Sequence, residues 1–90
     1  MTPTQLAAAL DARTGIGGAL AAEITKAVFD LIAAELAAGV KVSLSGFGSF
    51  EVRDRAARTG RNPQTGTQLV IPAHRSVVFR PAAALRERVN

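Results

Sequence analysis

The sequence contains no cysteine, tryptophan or tyrosine, and its only histidine is His74. Without cysteine there is no disulfide framework and no thiolate metal site, and one histidine cannot supply a closed set of zinc ligands. No nucleophile, base and orienting group come together, because the acids Glu51 and Asp54 alternate with Arg53 and Arg55 in a pattern that indicates surface charge pairing. We therefore expect no enzymatic activity, no cofactor, no metal and no small-molecule substrate.

The sequence also lacks a long apolar run. No uninterrupted stretch approaches the roughly 18 residues of a membrane span, since Asp11, Arg13, Glu23 and Lys26 interrupt the first half. The amino terminus does not show the basic-then-apolar order of a secretory signal. We expect a soluble protein of the reducing cytoplasm with no membrane partner.

The charge is unevenly distributed along a short chain. The 90 residues fit one domain, and such a small domain buries so little surface that a second copy is expected. Residues 1–46 carry three bases and four acids, whereas residues 47–90 carry eight bases and three acids. Nine of the eleven bases are arginine, whose planar guanidinium pairs with phosphate oxygens. The first half is predicted to be scaffold, and the second a surface for a polyanion.

Residues 1–39 are predicted to form a helical dimerisation base. Thr2-Pro3-Thr4-Gln5 is typical of a capping box with proline at the first helical position, and a glycine-rich break at residues 15–18 separates this short helix from a longer one ending at Gly39. The longer helix carries two apolar stripes, one of Leu20, Ile24, Val28 and Leu31 and the other of Phe29, Ile32 and Leu36. Two stripes need two partners, so we expect one to meet the first helix and the other a second subunit.

From Val40 the apolar period drops to two, which predicts sheet strands within residues 40–54 and 76–81. Phe50 and Val52 are expected on an inner face against Glu51 and Arg53 outside, and a short C-terminal helix is predicted for residues 82–90. The fold class is thus α+β: a helical base, a three-stranded antiparallel sheet, a protruding ribbon and a final helix. Its dimer core is assigned to Phe29, Ile32, Leu36, Leu44, Phe47, Phe50 and Phe79.

Residues 55–75 form a long insertion between the second and third sheet strands, and such insertions are usually functional or disordered. Asn62-Pro63 is a turn signal, and Leu69, Val70 and Ile71 give the returning limb strand character. An exposed proline at the tip of a basic hairpin suits a wedge between base steps of the minor groove. Taken alone, the tip favours a plain solvated turn; the arginines around it favour DNA.

Three segments, residues 46–50, residues 58–66 and Phe79-Arg80-Pro81, together resemble the bacterial HU and integration host factor family of DNA-bending proteins, without gaps over the whole chain. The resemblance implies an intertwined dimer whose two ribbon arms embrace duplex DNA through the minor groove, as a nucleoid-associated histone-like protein does. It implies that Pro63 opens a base step. The DNA-binding residues expected are Arg53, Arg55, Arg58, Arg61, Asn62, Pro63, Gln64, Arg75 and Arg80.

The choice within the family stays open at this point. The Asn-Pro-Gln-Thr-Gly tip looks like HU, whereas Phe79-Arg80-Pro81 and residues 44–48 look more like integration host factor, so a homodimer and a heterodimer with a paralogue both remain possible. Pro3, Gly18 and Ala83 occupy places where HU proteins often carry lysine, and Thr67 and Gln68 make the returning limb less basic than usual. We therefore expect weak contacts along the sides of the body from the first three positions, and a lower affinity with the same binding mode from the last two.

Other classes of function are weighed against DNA bending. A basic ribbon can dock on an acidic protein or bind RNA, although RNA recognition favours exposed tyrosine or tryptophan platforms, which are absent here. A helix-turn-helix is disfavoured because the second helix offers Lys26 beside Asp30 and Glu35 instead of basic and amide side chains. His74 is interpreted as an exposed side chain at the root of the arm, with a phosphate contact as the alternative.

Overall fold

The computed structural model describes residues 1–90 and contains three α-helices and five β-strands, which confirms the predicted α+β class. The helices are α1 (Pro3–Thr14), α2 (Gly18–Ala37) and α3 (Ala83–Val89). The strands are β1 (Val42–Leu44), β2 (Gly48–Arg55), β3 (Arg58–Arg61), β4 (Gln68–Ile71) and β5 (His74–Pro81). The chain divides into two compact units, residues 1–38 and residues 39–90. None of the helices combines the length and the apolar character needed to cross a membrane.

Helix α1 begins at the predicted capping box. The Thr2 hydroxyl accepts the Gln5 backbone N–H at 3.2 Å, and the Thr2 N–H donates to Gln5 Oε1 at 2.9 Å. The helix ends at Gly15, whose φ of 69° lies in the left-handed region that glycine adopts without steric cost. Asp11 Oδ1 then accepts the Gly17 N–H at 2.9 Å, which ties the α1–α2 turn back to α1.

Small residues fill the buried positions where α1 and α2 come together. Ala7 on α1 and Ala21 and Thr25 on α2 are buried, and the Thr25 hydroxyl donates to the Ala21 carbonyl at 2.8 Å, so its polar group is satisfied. The sequence prediction named stripes of large side chains and did not single out these small ones. Alanine and threonine carry little hydrophobic signal, yet their size lets two helix backbones approach.

Large apolar side chains stay exposed on α2. The exposed fraction is 46% for Leu20, 48% for Val28 and Phe29, and 67% for Leu31, and no large side chain of the chain is fully buried. Leu36, with only 9% exposed, is buried on this helix, and Ile32 is half-buried. A single chain therefore leaves much apolar surface in water, which is unfavourable by about 25 cal/mol for each Å².

The second unit contains a three-stranded antiparallel sheet with the strand order β1-β2-β5. Val42 pairs with Phe50, and Phe50 with Phe79, so these residues share one face. The ring centroids of Phe50 and Phe79 are 4.8 Å apart, and those of Phe47 and Phe79 are 5.6 Å apart. The three phenylalanines of this unit thus form one aromatic cluster on the apolar face.

The Gly-Phe-Gly run between β1 and β2 has two separate geometric causes. Gly46 has a φ of 75°, and the Phe47 N–H donates to the Leu44 carbonyl at 3.1 Å, as in a tight turn that requires glycine at its third position. Gly48 is buried, and a Cβ there would lie 2.6 Å from the Arg80 carbonyl oxygen and 2.7 Å from the Phe79 ring. The first glycine supplies a backbone angle and the second supplies space.

The element boundaries differ from the prediction at four places, the first being the end of α2 at Ala37 instead of Gly39. The first strand begins at Val42 and not at residue 40, because Gly39 with a φ of 80° still belongs to the connection. The β2–β5 ladder continues to the Arg55–His74 pair, so the sheet extends into the segment assigned to the arm. The last helix covers Ala83–Val89 instead of residues 82–90. Backbone hydrogen bonds pair strands whatever their side chains are. The residues that extend the ladder are polar, so the apolar period did not predict them.

Candidate nucleic-acid interface

The face of the sheet opposite the phenylalanines is polar and basic. Side chains alternate along a strand, and directly paired residues share a face. The register pairs Arg53 with Ser76, Arg55 with His74 and Ser49 with Arg80. Arg53, Arg55 and Arg80, all predicted DNA contacts, therefore lie on one face, which we call the basic face.

Glu51 lies within the basic face and joins two of its arginines. Its Oε1 is 2.9 Å from Arg80 Nε and 3.7 Å from Arg53 Nη2. The Arg80 side chain is 60% exposed and the Glu51 side chain 26%. Solvent therefore reaches the pair, and dissolved salt weakens its attraction. The predicted charge pairing of this acid is confirmed; it holds two guanidinium groups together and cancels part of their charge.

Arg55 and Arg75 lie on opposite faces of the sheet. Arg55 Nε donates to Ser76 Oγ at 3.1 Å, which directs its side chain across the basic face. Arg75 pairs with Asp54 in the register and alternates onto the face of Val77 and Phe79. Its Nη2 lies 3.2 Å from where a Cβ on Gly39 would stand. The structure thus separates Arg75 from the other predicted DNA contacts of the sheet.

Strands β3 and β4 form a separate two-stranded ribbon in which Arg58 pairs with Ile71, Gly60 with Leu69 and Arg61 with Gln68. Arg58 and Arg61 are three residues apart, so they point to opposite faces of the ribbon. Strand β4 carries no charge, and Leu69 and Val70 on its two faces are 49% and 75% exposed. Each ribbon face therefore offers one arginine beside exposed apolar surface.

The ribbon ends in a turn that confirms the Asn62-Pro63 prediction. The Asn62 N–H donates to the Thr67 carbonyl at 2.8 Å, and the Asn62 carbonyl accepts the Gly66 N–H at 2.8 Å. Asn62 Oδ1 accepts the Gln64 N–H at 2.9 Å, and Gly66 closes the turn with a φ of 70°. Pro63 is exposed at the end of this bonded frame.

His74 lies at the root of the arm, apart from the ribbon tip. His74 is exposed, and its Nδ1–H donates to the Pro72 carbonyl at 3.1 Å. No group of three or more histidine, cysteine, aspartate or glutamate side chains is placed to hold a metal ion. The sequence analysis did not identify Ser76, which accepts a hydrogen bond from Arg55. The type of this residue alone does not indicate a functional contact, and only the strand register shows that it lies beside Arg55.

Comparisons with known proteins agree along the whole chain. The model of the family described as bacterial DNA-binding protein matches residues 1–90. The DNA-binding protein HU of Geobacillus stearothermophilus is 47% identical over 90 residues, 100% of both chains. Integration host factor subunit alpha of Anaeromyxobacter dehalogenans is 42% identical over 90 residues, 100% of this chain and 80% of the relative. A cocrystal structure of Anabaena HU with DNA matches with a TM-score of 0.91 at 37% identity, covering 99% of this chain and 97% of that one.

Proposed function

The chain belongs to the bacterial DNA-binding protein family of HU and integration host factor, and from this premise we propose that it is an architectural protein that binds duplex DNA as a dimer and bends it. These matches confirm the family resemblance seen in the sequence. The observation that carries the proposal is that the sheet with the basic face leads along the chain into a ribbon that holds Arg58 and Arg61 and ends in exposed Pro63. The likeness to an HU solved with DNA supports it.

Each residue of this surface has a proposed role. Arg53 and Arg80 bind phosphates under the duplex, and Arg55 and Arg58 follow the backbone along the arm. Arg61 and Gln64 enter the minor groove on either side of Pro63, which opens a base step. Asn62, which the sequence also places among the DNA-binding residues, lies in the turn beside them. Arg75 lies on the other face of the sheet and is left out of the proposed DNA surface.

The energetics of bending explain why such a protein needs both charge and a wedge. Minor-groove proteins, of which HU and integration host factor are standard examples, lose a few kcal/mol for each base step they unstack. The loss is offset when the bent duplex reaches further basic surface. Readout of bases is minor in this mechanism, because phosphate contacts carry no sequence information. Nicked, gapped or otherwise distorted DNA should therefore bind more tightly than intact duplex.

The exposed apolar surface supports dimerisation. Val77 is 60% exposed, Phe47 46% and Phe79 40%, and the α2 stripe is similarly open. A domain of this size has too little core to leave such groups in water. We propose a homodimer whose core contains the seven residues assigned from the sequence, with a heterodimer of two paralogues as the alternative. Leu36 already lies buried within one chain.

The proposed role is structural and not catalytic, and its place is the nucleoid in the bacterial cytoplasm. The partner is double-stranded DNA, and the charge distribution supports this, since the unit that carries the ribbon also carries most of the bases. Competition among a duplex, a single-stranded RNA and an acidic protein at one salt concentration separates this role from an RNA-binding or protein-docking module. Duplex DNA should win that competition.

A sequence-specific function of the integration host factor type is the second candidate. The 42% identity to an integration host factor alpha subunit over the full chain favours it. Specificity is a ratio of affinities, so it is measured by comparing randomised duplexes at fixed salt. A narrow spread of affinities supports the HU-like role; a few strongly preferred sequences would support the alternative.

The test of the proposal as a whole is the mass of the protein in solution, with and without a short nicked duplex. The protomer is 9.3 kDa, and we expect twice that mass for the free protein and a defined complex when the duplex is added. A monomer at micromolar concentration that does not bind the duplex at low salt would overturn both the dimer and the DNA-binding role.

A further inference from the structure

Asn62 is bonded into the turn that presents Pro63. Its Oδ1 accepts the Gln64 N–H at 2.9 Å, its backbone N–H donates to Thr67 and its carbonyl accepts from Gly66. The atom that faces a backbone N–H must be the amide oxygen, so the orientation of the side chain follows from its partner. Asn62 is also half-buried, whereas Arg61, Pro63, Gln64 and Thr65 are exposed.

The bond from Oδ1 to Gln64 spans the proline. The proline ring fixes the φ angle of Pro63 but leaves its ψ angle and that of Asn62 free. An Asn side chain that accepts from the N–H two residues ahead closes a ring over those two torsions, as a backbone turn would. The amide of Asn62 therefore restricts the torsions that proline leaves open, and so restricts the direction in which the pyrrolidine ring points.

We propose that Asn62 is a positioning residue: its side chain sets the direction of the Pro63 wedge through the turn and does not act by reading a base. The inference rests on the proposed function, because it concerns how the wedge of that mechanism is held. An isolated two-stranded ribbon is only marginally stable in water, so without this bond the tip must be ordered when DNA binds. Ordering at that stage lowers affinity and bending without removing a phosphate contact.

The free protein gives the first test. The NMR temperature coefficient of the Gln64 backbone N–H proton should be that of a hydrogen-bonded group in the wild type. In Asn62→Ala it should be that of a group without a hydrogen bond. Asn62→Ser should lie between them, since a serine hydroxyl makes the same turn more weakly. A wild-type Gln64 amide that behaves as unbonded would overturn the proposal before DNA is added.

The second test is a double-mutant cycle on DNA bending and affinity, with Thr65→Ser as the control for a change elsewhere at the tip. Asn62→Ala should lower affinity by about two- to tenfold for each arm of the dimer, the range of one net hydrogen bond, and reduce the bend at unchanged salt dependence. In a Pro63→Ala background it should have almost no further effect. An equal effect in both backgrounds would show that Asn62 contacts DNA itself.

The bending measurements distinguish a failure of the proposed wedge from a failure of the positioning role of Asn62. If Pro63→Ala bends DNA like the wild type, the wedge of the proposed function is wrong, and the positioning role falls with it. If Pro63→Ala reduces the bend but Asn62→Ala does not, the wedge stands and only the role of Asn62 is wrong.

Discussion

Arg80 Nε lies 2.9 Å from Glu51 Oε1 on the basic face, so a phosphate that binds this arginine must compete with a carboxylate of the protein itself. The same oxygen is 3.7 Å from Arg53, and the acid therefore lowers the positive potential at both of these proposed phosphate contacts. Glu51 aligns the two side chains and also reduces the net attraction that they offer to DNA. The balance between these effects can be measured.

Replacing Glu51 by Gln should strengthen DNA binding at low salt. Exposed ion pairs contribute at most about 1 kcal/mol, so the gain in affinity should not exceed about fivefold for each protomer of the dimer. The dependence on salt should become steeper, since the freed arginines release more counterions from the duplex. Titrations at several salt concentrations check this. Glu87→Gln on α3, which removes the same charge outside the Glu51 cluster, is the control, and an identical gain in both variants would contradict a role for the 2.9 Å pair.

Gly48→Ala should destabilise the fold. Its Cβ would lie 2.6 Å from the Arg80 carbonyl oxygen, a backbone atom held in the β2–β5 ladder. Overpacking of this kind costs about 1–3 kcal/mol in the free energy of unfolding. Gly18→Ala is the matched control, since nothing lies within 4 Å of the added atom and its φ is not positive. That change should be neutral or stabilising by about 0.4–1 kcal/mol. Thermal unfolding of both variants at one protein concentration decides the matter.

Much of this architecture could be read from the sequence because it depends on local signals. The capping box at Thr2 and the turn at Asn62-Pro63 each need only a few neighbouring residues, and both are present as predicted. The face of Arg75 could not be read in this way. The face that Arg75 occupies depends on whether the β2–β5 ladder continues from Val77 toward His74. The residues there are polar, so no apolar alternation in the sequence shows that the strand continues.

The candidate site was likewise predictable in its composition and less so in its contacts. The arginines and the proline tip stand out by type and spacing. The Glu51–Arg80 pair joins residues 29 positions apart, and it arises only because β2 and β5 are neighbours in the sheet. Glu51 was assigned to charge pairing, but its partner across the sheet needed the register.

Arg58 and Arg75 should differ in their effect on salt dependence. If Arg58 binds a phosphate in each arm of a dimer, Arg58→Gln removes two contacts and should flatten the slope of log affinity against log salt by about 1.8. Arg75→Gln should leave the slope unchanged, because Arg75 lies on the face of Val77 and Phe79. Affinities over a range of salt concentrations test both. A flatter slope for Arg75→Gln would place this arginine on the DNA after all.

Pro63→Ala should reduce the DNA bend while it spares the salt dependence, since proline carries no charge. Fluorescence energy transfer between the ends of a labelled duplex reports the bend directly, and equal transfer for variant and wild type would contradict the wedge. Thr65→Ser, which changes another residue of the same exposed tip and keeps its hydroxyl bonded to Thr67, is the control and should bend DNA normally.

The same variant separates a wedge from a merely stiff turn when the duplex is changed. A wedge is needed because unstacking a base step costs a few kcal/mol. A duplex with a short gap at the kink has already lost that stacking, so the deficit of Pro63→Ala should shrink on gapped DNA and be largest on intact duplex. A turn that only stiffens the ribbon predicts the same deficit on both. The difference between the two substrates, more than the size of either effect, therefore shows whether Pro63 acts on the stacked bases.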